Sequence, residues 1–175
     1  MKKLLTLTLL LSLFSTAYAQ EKRDNFGIGF QLSDWGGDFG VGVNVSGPEF
    51  FGVITIDAAF QSQWRSNYFL YENAWDSYQM LELGLRSKAG QIANWFEMYG
   101  FARACYLISG PDSWSTGQFG ATGGFGFEFN TAASGQSPVS YFIELGSHSG
   151  FQDVTPFEVS ITGGFSSTVG LRVNF

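Results

Sequence analysis

The chain has few of the groups on which most protein chemistry depends. Among 175 residues there is one cysteine, Cys105, and one histidine, His148. A lone thiol excludes an internal disulfide, and no Cys/His spacing suits a metal. No cofactor-binding motif occurs either. Gly27, Gly29, Gly40 and Gly42 alternate within extended stretches with no helix following, which is not a dinucleotide loop. Charged residues are 14% of the chain and the net charge is −6, so no basic patch offers itself to nucleic acid. Long apolar runs are missing too. Beyond residues 4–14 none approaches the roughly 20 residues of a spanning helix, which excludes a helical membrane protein.

Aromatics and glycine are what the chain has in quantity: 19 Phe, 7 Tyr, 5 Trp and 23 Gly, a composition of strands and tight turns. At the start, Lys2 and Lys3 precede the apolar run 4–14 and then Ala17-Tyr18-Ala19. This is the order of a secretory signal peptide over residues 1–19, leaving one mature domain over 20–175. A small exported soluble domain usually carries disulfides. A closed membrane barrel is held by its hydrogen-bond ladder and needs none.

Alternation of apolar with polar or small residues predicts eight strands, at 25–33, 38–46, 52–64, 78–88, 95–108, 118–130, 139–149 and 157–175. The first sets Phe26, Ile28, Phe30 and Leu32 against Gly27, Gly29, Gln31 and Ser33. The third sets Ile54, Ile56, Ala58 and Phe60 against Thr55, Asp57, Gln61 and Gln63. In the fourth, Leu81, Leu83 and Leu85 oppose Met80, Glu82, Gly84, Arg86 and Lys88. The fifth alternates less cleanly, because Tyr99 and Phe101 fall on the face of Glu97 and Arg103. Turns or loops are expected at 34–38, 47–49, 65–77, 89–94, 109–117, 131–138 and 150–156.

Eight such strands fit either a soluble barrel with its apolar face inward or a membrane barrel with that face to lipid. Three features favour the second. The polar faces are rich in Gly, Ser and Thr and carry charges of both signs, as a narrow side-chain-filled lumen does. Most strands reach the roughly 9–11 residues that cross a bilayer when tilted. Connections alternate between short and long.

The last residues, Thr168-Val169-Gly170-Leu171-Arg172-Val173-Asn174-Phe175, place apolar side chains at alternate positions and end on an aromatic. They resemble the C-terminal assembly signal of bacterial outer-membrane barrels, carried here by Gly170, Val173 and Phe175. The mature chain as a whole resembles the small eight-stranded outer-membrane β-barrel proteins, the OmpA-transmembrane and OmpX-like group. The resemblance implies an all-β, eight-stranded antiparallel up-and-down transmembrane β-barrel with a porin-like wall, in the bacterial outer membrane, both termini in the periplasm. It also implies contact with outer-membrane lipid and lipopolysaccharide, and delivery by periplasmic chaperones to the barrel-assembly machinery.

Three groups of residues are candidates for function. Glu82, Arg86, Glu97, Arg103, Glu128, Glu144 and Arg172 form the expected lumen charge network. Charges in such a site must pair, so they read as a plug before they read as a gate. Tyr68, Phe69, Tyr71, Trp75 and Trp114 read as interfacial aromatics or as a surface contact. His148 stands in Ser147-His148-Ser149 with Glu144 nearby in sequence. Small outer-membrane barrels that deacylate lipid A use a His-x-Ser pair with an acid, but here Gly150 occupies the position two after His148 and Ser149 alternates to the other face. No catalytic residue and no metal ligand is assigned. The reading is a non-enzymatic envelope or surface-contact barrel. A lipid A-modifying barrel enzyme and a soluble periplasmic ligand-binding barrel are the alternatives.

Overall fold

The computed structural model describes residues 26–67, 74–109, 118–150 and 163–175. Expectations that fall on residues 1–25, the proposed signal peptide included, lie outside the described residues. Eight antiparallel strands run in chain order: β1 (Gly27–Trp35), β2 (Asp38–Phe50), β3 (Ile54–Asn67), β4 (Ala74–Ala93), β5 (Phe96–Ser109), β6 (Gln118–Asn130), β7 (Val139–Ser149) and β8 (Gly163–Asn174). Each pairs with its neighbour, and β8 returns to β1 through Ile28↔Val173, Phe30↔Leu171 and Leu32↔Val169, so the barrel is closed. Closure leaves no sheet edge with unpaired backbone groups.

The barrel is inside-out. Along β1 burial alternates without a break: Gly27, Gly29, Gln31, Ser33 and Trp35 point in, and Ile28, Phe30 and Leu32 point out. Leu83 is 60% exposed and Leu171 56%, whereas Arg172 is 1% exposed. An apolar wall around a polar interior is stable only where the surroundings are apolar, and this removes the soluble barrel with an apolar cavity. At the end that carries Phe26 and Phe175, the outer wall bears stacked rings. Phe96 lies 4.7 Å from Phe129, which lies 4.8 Å from Tyr141, close to the turn at Trp95.

Several turns are tighter than the sequence suggests. The stretch 34–38 narrows to Gly36 and Gly37, with φ of +62° and +101°; Trp35 and Asp38 already pair in the ladder. Two glycines meet the positive-φ requirement of a two-residue hairpin by themselves. The expected turn at 47–49 is a bulge between Ser46 and Glu49 inside β2, where Pro48 needs no ladder donor. The chain reverses instead at Phe51 and Gly52, both at positive φ, closed by Val53 N–H donating to the Phe50 carbonyl at 3.2 Å. The expected turn at 89–94 is mostly strand: β4 runs to Ala93 and reverses at residues 94–95. β3 and β4 likewise extend into the expected connection at 65–77, of which residues 68–73 are not among those described. For β8 only Gly163–Asn174 is described. Strands β6 and β7 have the expected bounds.

Candidate functional site: a charged lumen

Strand parity sends every second side chain of all eight strands into one narrow space. The space is filled in levels. At the mouth nearest the termini, Lys88 pairs with Glu49 and stands 3.7 Å from Glu97. Here lies a cavity of about 70 Å³ lined by Arg86, Lys88, Asn94, Glu97, Asn130 and Asn174 among others.

One level inward, Glu128 Oε2 accepts from Arg86 Nη1 at 2.9 Å and from Arg172 Nη1 at 2.6 Å. Its other oxygen accepts from Ser140 Oγ. Arg172 lies over the Phe142 ring at 4.6 Å and Arg86 over Tyr99 at 4.9 Å. The aromatics on the charged face therefore serve as surfaces on which guanidinium groups lie.

At the centre, Arg103 holds two carboxylates. It donates to Asp57 Oδ2 from Nε at 2.8 Å, with Nη2 at 2.6 Å from the same oxygen, and to Glu144 from Nη1 and Nη2, each at 2.7 Å. Glu82 Oε2 is farther, 3.6 Å from Nη1. Glu82 Oε1 accepts from the Gln61 amide, and Tyr99 Oη donates to Glu144 at 3.0 Å. Gly84 makes this packing possible. A Cβ there would lie 2.2 Å from the Ala102 carbonyl oxygen and 2.6 Å from Arg103 Cγ. At Gly126 a Cβ would lie 2.5 Å from the Tyr99 ring.

Beyond the centre the chemistry turns neutral and then apolar. Ser33 Oγ donates to Gln61 Oε1 at 2.6 Å and accepts from Gln63 Nε2 at 2.8 Å. Trp35, Tyr78, Met80, Cys105 and Leu107 then form a buried apolar cap, with Tyr78 Oη donating to Asp38 at 2.8 Å. His148 stacks on Trp35, ring centroids 4.4 Å apart and planes 19° apart.

The seven expected lumen charges thus divide among three levels. Glu82, Arg103 and Glu144 meet at the centre, Arg86, Glu128 and Arg172 sit one level away, and Glu97 is at the mouth. Three members of the network, Asp57, Lys88 and Glu49, were not singled out from sequence. Asp57 was legible from the parity of β3 and Lys88 from that of β4. Glu49 was hidden by reading 47–49 as a turn. Of the proposed surface aromatics, Tyr68, Phe69, Tyr71 and Trp114 lie outside the described residues, and Trp75 falls within β4. Within the C-terminal signal, Val173 pairs with Ile28 and Val139, and Phe175 N–H donates to the Phe26 carbonyl at 2.8 Å. Gly170 faces the lumen, where a Cβ would meet the Phe142 ring at 2.5 Å. His148 points inward while Ser147 and Ser149 are exposed on the outer wall, so neither serine can be activated by it.

No protein-family model matches the chain, and no curated protein matches it in sequence. Solved structures do resemble it in fold. The N-terminal β-barrel domain of Pseudomonas aeruginosa OprF is 12% identical with a TM-score of 0.59, covering 89% of this chain and 100% of that one. A major outer membrane protein from Thermus thermophilus is 14% identical with a TM-score of 0.59, covering 86% and 99%. Neisserial surface protein A is 11% identical with a TM-score of 0.57, covering 86% and 94%. At these identities the likeness is one of architecture: the fold is that of the small eight-stranded outer-membrane barrels.

Proposed function

We propose that this chain is a non-enzymatic barrel of the bacterial outer membrane, acting through its walls and its ends rather than by conducting solutes. The observation that carries this is the filling of the lumen, from the Arg86–Glu128–Arg172 level through the Arg103 centre to the Trp35–Leu107 cap, with a cavity of only about 10 Å³ between centre and cap. An eight-stranded barrel is just wide enough for side chains to fill, and here they pair across it, Arg103 with Asp57 and Glu144 and Glu128 with Arg86 and Arg172. The outer wall takes up outer-membrane lipid and lipopolysaccharide. Periplasmic chaperones and the barrel-assembly machinery receive the chain by its C-terminal strand, through Gly170, Val173 and Phe175. A role in envelope integrity or surface contact follows, with Tyr68, Phe69, Tyr71, Trp75 and Trp114 as the contact residues to test.

Two experiments test the reading. Expressed in a Gram-negative host, the protein should sediment with the outer membrane and migrate differently on a denaturing gel before and after boiling. A soluble fraction with no such shift would overturn it. The enzymatic alternative finds no support at His148, so His148→Ala should leave the lipid A acylation pattern unchanged; an altered pattern would restore that alternative.

A further inference from the structure

The two inner levels of the lumen do not balance in charge. They contain four carboxylates, Asp57, Glu82, Glu128 and Glu144, and three guanidinium groups, Arg86, Arg103 and Arg172. Lys88 stands at the mouth, partly exposed and already between Glu49 and Glu97. Among the described residues one negative charge is therefore left over, in a region that the apolar cap closes on one side and that leads to the mouth on the other. Isolating an ionised carboxylate from water is costly enough that such a group neutralises instead. The hydrogen bonds show the same deficit. Asp57 Oδ1 is buried and has no hydrogen-bond partner among the described residues, so the centre is also short of one donor.

From this imbalance we propose that the lumen centre is a single-proton site, and that the proton resides on Glu82. Asp57 and Glu144 are each held by Arg103 through contacts of 2.6–2.8 Å. Glu82 is 3.6 Å from that guanidinium and is bonded to a neutral amide, so ionisation gains least there. The groups facing it are Asp57 and Gln61 on β3, Arg103 and Cys105 on β5, and Glu144 on β7. None supplies a second cation. Among the described residues no group of three His, Cys, Asp or Glu side chains is arranged to hold a metal ion. Glu82 in an unfolded chain is ionised at neutral pH, so folding takes up one proton per barrel. Stability should then fall as pH rises, because the folded state binds the extra proton.

The test uses the protein folded in detergent micelles, with its glutamates carbon-13 labelled. At neutral pH the infrared spectrum should contain the carbonyl stretch of one protonated carboxylic acid, and Glu82→Gln should lose it. The wild-type urea midpoint should drop between neutral and alkaline pH, while the Glu82→Gln midpoint stays level. Glu144→Gln, which removes a carboxylate that Arg103 holds, should lower the midpoint at every pH. The proposal is overturned if the acid band is absent from the wild type or survives in Glu82→Gln. It is also overturned if the midpoint follows the choice of alkali cation rather than pH, which would put a cation at the centre. Should Glu82→Gln not fold, the wild-type spectrum decides: a band present at neutral pH and lost on alkalinisation sustains the proposal, and its absence at neutral pH refutes it.

Discussion

Replacing Arg103 with methionine probes the lumen at its most connected point. The side chain is 7% exposed and contacts Asp57 and Glu144 closely, with Glu82 next in reach. Arg103→Met keeps most of the packing volume but removes the only guanidinium at that level. Asp57 loses both donors to Oδ2, and its Oδ1 has none. Glu144 retains Tyr99, and Glu82 retains Gln61. Removing one partner of a buried ion pair costs about 3–5 kcal/mol, because the other charge is left buried and unpaired. Urea unfolding in lipid vesicles, followed by circular dichroism and by the boiled and unboiled gel bands, should show a loss of that size. Arg103→Met combined with Glu144→Gln should recover part of it, since neighbouring changes in one network are not additive. A loss below about 1 kcal/mol for the single variant would refute the reasoning, because pairs that weak are the solvent-screened kind.

Other substitutions examine the walls and the close contacts. Val169 is 47% exposed on the outer wall, and Val169→Arg should destabilise the inserted barrel by about 2–4 kcal/mol near mid-bilayer. Thr168→Val, one residue away but facing inward, should change the unfolding free energy by less than about 1 kcal/mol in the same assay. Gly84→Ala should cost about 1–3 kcal/mol by overpacking against the Ala102 carbonyl and Arg103, seen as a lowered urea midpoint. His148→Ala should lose the stack on Trp35, worth about 0.5–1.5 kcal/mol, and change the near-ultraviolet circular dichroism of that tryptophan.

The wall was legible in the sequence because its rule is local. Period-two alternation assigns a face without reference to any other strand, which is why β6 and β7 have their expected bounds. It also correctly placed Tyr99 and Phe101 among the lumen residues despite their apolar rings. Strand ends were less legible. Gly-Pro-Glu at 47–49 has the composition of a turn, but a bulge absorbs it, and the reversal falls on Phe51 and Gly52 at positive φ. A phenylalanine in that conformation carries no turn signal. The centre was half legible. Its charged residue types were evident, but the grouping of Asp57 with Glu82 and Glu144 around Arg103 depends on register across β3, β4, β5 and β7. Glycine tightness is also hidden from parity: Gly84 reads as a small position on the polar face, whereas a Cβ there would strike the Ala102 carbonyl.

Single-molecule conductance across a planar bilayer tests the central claim most directly. Reconstituted wild-type protein should give no sustained current, because the side chains of the Arg103 centre and the Trp35–Leu107 cap fill the lumen. A stable, salt-dependent conductance in the unmodified protein would contradict the account, since ions would then be passing through a lumen that these side chains close.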